Sequence, residues 1–177
     1  MAITLRQFYD WQTAGGGGDV SLLVTTLKSL EIPWCMIGDL AVNHWAREPM
    51  ATADVDLVIA AERVEEAVKA LAKAGFKAKK FTWSVNLKGH SKVSVQISTE
   101  EVYREFPARS VPADIHGILM RVASREDTLS GKLLAWQDPK RRASKRQKDL
   151  LDLMRLVEAQ PRLRKLLPAE VVKKLAD

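Results

Sequence analysis

The sequence predicts an α/β protein: a small mixed sheet flanked by helices, followed by a helical C-terminal part. Three observations predict it. Short β-branched runs bounded by Gly and Pro alternate with 3.6-period stripes up to about residue 123. From residue 124 onward the pattern is helical throughout. The composition, 46% hydrophobic and 28% charged over 177 residues, suits one folded domain with an appendage.

In chain order, residues 3–12 form a short amphipathic helix with Leu5, Phe8 and Trp11 on one side. Gly15–Gly18 reads as a flexible linker, since four glycines hold neither helix nor strand well. Asp19 caps the next helix, whose stripe is Leu22, Leu23, Leu27 and Leu30. Pro33 stops it, and Trp34–Ile37 is a short buried strand closed by Gly38. Leu40–Trp45 is a single helical stretch, and Ala53–Ala60 a second strand. Residues 61–75 form a helix ended by Gly75. Strands follow at Lys77–Asn86, Ser91–Ser98 and Ile115–Val122. Ser124 with Asp127 caps a helix that Pro139 terminates. Ser144 with Gln147 opens a helix over Lys145–Ala159 that turns Leu150, Leu153, Met154 and Val157 inward. Pro161–Leu167 and Ala169–Leu175 are shorter helices. The chain divides into an N-terminal helix and linker (1–18), a sheet domain (19–123) and a basic helical part (124–177).

No apolar run reaches the roughly 18 residues that span a bilayer, and the N-terminus lacks a secretory layout, so the expected location is cytoplasmic. One cysteine, Cys35, excludes an internal disulfide and a cysteine zinc cluster, and its apolar neighbours suit an inert buried thiol. The net charge of +6 is uneven. Residues 1–131 hold 15 Lys/Arg against 16 Asp/Glu, whereas residues 132–177 hold 13 against 6. The surplus peaks at Lys140, Arg141, Arg142, Lys145, Arg146 and Lys148, a pattern that fits either a polyanionic partner or a solvated helix face. Trp34, Trp45 and Trp136 sit beside apolar residues and belong to the core; the histidines show no metal-ligand spacing.

Asp54 and Asp56 stand two apart on a strand, so both carboxylates point to one face and can share a divalent cation. Oxygen donors of this kind suit magnesium, which keeps waters and reaches to substrate phosphates. Gly38 closes the preceding strand and opens a helix whose amides can approach a phosphate.

The order of parts, with IGDLAVNHWAREPMATADVDLVI at its centre, resembles the nucleotidyltransferase superfamily, in the branch of the abortive-infection (AbiEii-like) toxins. That branch carries a Gly-Gly turn and then Arg-x-Thr-x-Asp-x-Asp-Leu; Thr52, Asp54, Asp56 and Leu57 match, with the spacing back to Gly38. Glu126-Asp127, Lys132 and RRASKRQKDLLDLMRL resemble the family's C-terminal pattern, with Arg142, Lys148, Asp149 and Asp152 in place. The matches cover most of residues 30–158. The resemblance implies a nucleotidyltransferase-type mixed sheet and metal-dependent transfer of a nucleotidyl group from an NTP to an acceptor, often transfer RNA, under restraint by a cognate antitoxin. It implies that Asp54 and Asp56 hold magnesium in a two-metal arrangement with the NTP. Gly38, Asp39 and Thr52 would line the substrate turn. Lys132, Lys148 and Arg142 would neutralise phosphates, and Asp149 and Asp152 would orient those basic groups. RNA would lie on the 140–148 cluster.

Three departures stand out. The family's third catalytic carboxylate falls on the strand Lys92–Ser98, where this chain has Gln96, an amide that cannot take up a proton. Asp39 replaces a small turn residue, where it also suits an N-cap for Leu40–Trp45. Met50 replaces a common Arg. A non-catalytic RNA- or protein-binding member of the same fold is therefore the second reading, and a structural module with a solvated basic helix is the third.

Overall fold

The structure is a computed structural model that describes residues 4–47 and 49–175. Its centre is a mixed sheet of seven strands in the order β3-β4-β5-β2-β1-β7-β6. The strands are β1 (Trp34–Ile37), β2 (Asp54–Ile59), β3 (Lys77–Lys80), β4 (Ser84–Lys88), β5 (Ser94–Ser98), β6 (Val111–Ile115) and β7 (Ile118–Val122). The helices are α1 (Leu5–Thr13), α2 (Gly16–Ser29), α3 (Gly38–Trp45), α4 (Val64–Lys73), α5 (Phe106–Arg109), α6 (Arg125–Gln137), α7 (Ala143–Ala159) and α8 (Ala169–Lys174). Among the described residues no helix is long and apolar enough to cross a membrane.

β2 is the pivot of the sheet. It runs antiparallel to β1, placing Asp56 opposite Ile37, and parallel to β5, placing Asp54 opposite Ser94 and Asp56 opposite Gln96. Odd positions of β2 seal one face: Val55, Leu57 and Ile59 join Val95 and Ile97 beneath Leu23, Leu27, Ala67 and Leu71 of α2 and α4. Period-two alternation then leaves Asp54 and Asp56 on the opposite face. A second core, Val42, Leu129, Trp136, Leu153 and Leu156, fastens α3 to α6 and α7. Because Leu40 and Ala41 pack in the first core and Val42 in the second, α3 locks the helical part to the sheet. Cys35 is fully buried, and burial pushes its thiol up to about 12.

Several local expectations differ from the structure. Gly16–Gly18 is the first turn of α2 and not a linker: a Cβ on Gly16 would lie 2.3 Å from Thr13 Oγ1 and 2.4 Å from Val93, so glycine lets α1 and α2 approach the segment that leads into β5. Asp19 lies inside that turn instead of capping it. Its carboxylate accepts from the Ser91 N–H at 2.8 Å and the Ser91 hydroxyl at 2.5 Å, closing the β4–β5 loop. Leu5 and Trp11 face solvent, because Tyr9 and Thr13 are the buried positions of α1; Ile3, the predicted start of this helix, lies outside the described residues. The long strand Lys77–Asn86 is a hairpin, β3–β4, bent at residues 81–83. The predicted strand Ile115–Val122 is β7 from Ile118 onward; it is preceded by the unexpected β6, which joins it through a turn at His116 and Gly117, both with positive φ as a two-residue hairpin turn requires. Ser124 caps α6 as expected, accepting from Asp127 N–H at 3.1 Å. α7, however, begins at Ala143 with Arg142 at its N-cap, so Ser144 does not open it. Pro161–Leu166 is a 3-10 helix.

Candidate active site

The acidic strand, the glycine turn, α6 and the basic α7 meet in one cleft of about 560 Å³. Ile37 of β1 and Gly38 of α3 form one wall, with Asp54 and Asp56 of β2 and Gln96 and Ser98 of β5 as the floor. Lys132 of α6 and Lys145, Lys148 and Asp149 of α7 stand opposite, and Val102, Tyr103 and Phe106 add an apolar side.

Gly38 is in the left-handed region, φ 68, and a Cβ there would lie 2.3 Å from Asp56 Oδ2. Its bare backbone is therefore what lets α3 start directly against the Asp56 carboxylate. Burial raises the Asp56 carboxyl to about 6, and the neighbouring charges of Asp39 and Asp54 add to that, while Lys132 and Arg141 oppose it. Among the described residues neither carboxylate of this crowded pair makes an ion pair. Their oxygen donors, one of them exposed on Asp54, are the kind that hold a hard divalent cation.

Asp39 occupies the second residue of α3, and its carboxylate is taken by two lysines rather than by the helix N-terminus. Lys132 donates to Oδ1 at 2.6 Å, and Lys148 donates to Oδ2. The N-cap expected of Asp39 is thus replaced by a stronger, charge-assisted pairing. Burial acts to raise this carboxyl, but Lys132 and Lys148 prevail and hold it well below the ordinary range.

Lys132 is itself buried, 2.7 Å from Asp152 and 3.6 Å from Asp149. Three carboxylates surround it. Its ammonium is a hub tying α6 to α3 and α7, and this leaves little of it for a substrate phosphate. Asp149 pairs with Arg141 in a two-pronged contact of 2.5 and 3.2 Å, and Asp152 also binds Arg155 at 2.8 Å. Thr52 stands outside the cleft lining and accepts from the Asp54 N–H at 3.2 Å, steadying the start of β2. Met50 is held by two backbone contacts with Asn43, which Arg155 also reaches at 2.7 Å.

Of the predicted site residues, Gly38, Asp39, Asp54, Asp56, Gln96, Lys132, Lys148 and Asp149 line the cleft together. Thr52, Arg142 and Asp152 do not. Arg141 and Lys145, which the sequence marks only as members of the basic cluster, also line it. The missed signal was helical spacing: Lys145 and Lys148 lie four residues before Asp149 and Asp152, hence on the same face. Arg141 could not be told from Arg142 without knowing where α7 begins. Val102, Tyr103 and Phe106 belong to a 3-10 turn and the four-residue α5, segments too short to leave a periodic signature.

A family model described as "Nucleotidyl transferase AbiEii toxin, Type IV TA system" matches residues 40–177. No match is found among curated protein sequences. Among solved structures, a putative nucleotidyltransferase from H. pylori superposes with a TM-score of 0.61 at 18% identity, over 91% of this chain and 75% of that one. The antibiotic-resistance factor ANT(2")-Ia, in complex with adenylyl-2"-tobramycin, gives 0.55 at 16% identity, covering 88% and 91%. The lincosamide antibiotic adenylyltransferase LnuA, lincomycin-bound, gives 0.54 at 11% identity, covering 78% and 96%. At such identities the likeness shows a common fold.

Proposed function

The chain belongs to the AbiEii family of nucleotidyl transferase toxins, and from that premise we propose that it transfers a nucleotidyl group from a nucleoside triphosphate to an RNA acceptor, with magnesium held by Asp54 and Asp56. The observation that carries this reading is the convergence of the acid pair and the basic face of α7 on one cleft.

A magnesium ion bound by the pair would offset charge on the triphosphate and on the departing pyrophosphate. The protein's own residues do the rest. Gly38 brings backbone against the acid pair, and Lys145, Lys148 and Arg141 face the space where phosphates would lie. Lys132 fixes the relative position of the glycine turn and the basic helix by holding Asp39, Asp149 and Asp152. Gln96, directly opposite Asp56, can orient a hydroxyl but cannot accept its proton. Family membership supports a cognate antitoxin that restrains the site, and action in the cytoplasm, where triphosphates and RNA are at hand.

The test is incubation with magnesium, each labelled triphosphate in turn and bulk RNA, beside the Asp54→Asn/Asp56→Asn double variant. Labelling of RNA by the wild type alone supports the proposal. Equal labelling by both proteins, or none with any nucleotide, overturns it. A second reading, a member that binds RNA or a partner protein without turnover, is favoured by Gln96 and by the hold of Asp39 on Lys148. It predicts RNA binding that is indifferent to Asp54 and no label transfer.

A further inference from the structure

The floor of the cleft does not stop at β5. Strand register carries the Asp54/Asp56 face outward in two rows. Asp54 lies opposite Ser94, Ser94 opposite Lys88, and Lys88 opposite Lys77; Asp56 lies opposite Gln96, Gln96 opposite Asn86, and Asn86 opposite Lys79. Residues directly opposite one another share a face, so the acid pair, three lysines and the amides of Gln96 and Asn86 form one polar surface. The other face of the same strands is sealed by Val55, Val95 and Leu87. At about 4.8 Å per strand the rows extend roughly 14 Å from β2 to the sheet edge.

This surface is open: Lys77, Lys79, Lys88, Ser94 and Gln96 are exposed. A solvated polar face on an antiparallel sheet is ordinary, and lysines on an edge strand discourage edge pairing. Those two reasons cover β3 taken alone. They do not cover Lys88 on the inner strand β4, set directly opposite Lys77, since like charges in that position repel. Among the described residues none of Lys77, Lys79 and Lys88 makes an ion pair; Lys88 donates to the Val93 carbonyl at 3.0 Å. The nearest carboxylates along the rows are Asp54 and Asp56 themselves. At the β3–β4 turn Phe81 and Trp83 are exposed, and the Lys79 ammonium lies 5.1 Å from the Phe81 ring centre. Half of the basic run at residues 140–148, by contrast, is committed to its own chain: Arg141 to Asp149, Lys148 to Asp39, and Arg146 to the Trp136 carbonyl.

We propose that the open face of β3, β4 and β5 is the acceptor track, on which a single-stranded RNA lies with phosphates on Lys77, Lys79 and Lys88 and bases on Phe81 and Trp83. This rests on the nucleotidyl-transfer reading and adds where the acceptor lies and that it is unpaired. A backbone anion matches the uncompensated lysines. Stacking on exposed aromatic rings requires bases that are free of a duplex. Continuity of the two rows with Asp54 and Asp56 leads one end of such a strand into the cleft.

The experiment is fluorescence anisotropy of the full chain with a short fluorescein-labelled single-stranded RNA across a salt series. Its variants are Lys77→Gln/Lys79→Gln/Lys88→Gln, Phe81→Ala/Trp83→Ala and, for comparison, Lys140→Gln/Arg142→Gln. The lysine triple variant is expected to bind about tenfold or more weakly near 0.1 M salt. Its log–log salt slope should be shallower by about 2, from roughly 0.7 per lost phosphate contact. The aromatic variant should weaken binding without altering that slope, and the Lys140/Arg142 variant should do less than the triple. Wild-type affinity and slope in the triple variant would overturn the proposal, as would equal loss of affinity for single-stranded RNA and for a DNA duplex of the same length. Ligand-free melting points verify that each variant is folded. The rise in wild-type melting temperature with magnesium and a triphosphate is a separate readout of the nucleotide reading, so failure of one leaves the other distinguishable.

Discussion

Lys132 sets its ammonium 2.6 Å from the Asp39 carboxylate, joining α6 to the first turn of α3, and reaches Asp152 of α7 at 2.7 Å with the same group. The acid in the glycine turn and the cation on α6 are therefore one structural unit. Removing the cation leaves buried Asp149 and Asp152 short of counter-charge, which costs far more than an exposed pair would. Lys132→Met is expected to lower unfolding stability by about 3–5 kcal/mol in a urea titration. A loss below about 1 kcal/mol would show that Lys132 is not the hub. Asp39→Asn should be milder, because Asp152 still holds Lys132. It should also free Lys148, so that on the proposed reading magnesium–triphosphate binds about five- to tenfold more tightly, the effect of removing about 1 kcal/mol of like-charge repulsion.

Asp56 makes a second, pH-dependent prediction. Its carboxyl is raised from 3.8 to about 6, first by burial and then by Asp39 and Asp54. A raised carboxyl means that the folded state binds the extra proton, so stability falls as pH climbs through the window from about 4 to about 6 and levels off above it. Asp56→Asn removes this slope. The stability difference, variant minus wild type, should grow across that window by on the order of 3 kcal/mol, at up to about 1.4 kcal/mol per pH unit, and stay flat to pH 8. Magnesium should recover the lost stability of the wild type at pH 7 and leave the variant unmoved. A difference that is constant from pH 4 to pH 8 would show that the acid pair is not strained.

The acid pair and the helical C-terminal part were legible because each rests on a period: two for Asp54 and Asp56 on β2, 3.6 for α7. What stayed hidden was whatever depends on a partner far along the chain. Asp19 and Asp39 both sit where a helix cap is the local expectation, yet Ser91, 72 residues on, and Lys132, 93 residues on, claim them. One strand is expected where the β3–β4 hairpin folds, because the bend at residues 81–83 falls within a continuous β-favouring run, and β6 is hidden because Pro112 and Asp114 interrupt its pattern. The inward face of α7 carries Asp149 and Asp152 beside Leu153 and Leu156. An apolar stripe alone describes half of that face, and its charged half is the half that builds the site.

The glycine run at residues 15–18 supplies the last prediction, since its members differ in what surrounds them. Gly16 is buried, and a Cβ there would meet Thr13 Oγ1 at 2.3 Å and Val93 at 2.4 Å, atoms of packed, buried side chains that have little room to withdraw. Gly18 is exposed in the same helical turn with nothing within 4 Å of its Cβ position. Alanine in a helix is favoured over glycine by up to about 1 kcal/mol where nothing collides. Overpacking at a closed position costs about 1–3 kcal/mol. Gly18→Ala is thus expected to raise the melting temperature and Gly16→Ala to lower it, two residues apart in one sequence of identical letters. A flexible linker would instead return changes within about 0.5 kcal/mol for both. Opposite signs in a thermal melt would establish that Gly16 serves close packing of α1 and α2 against the segment that leads into β5.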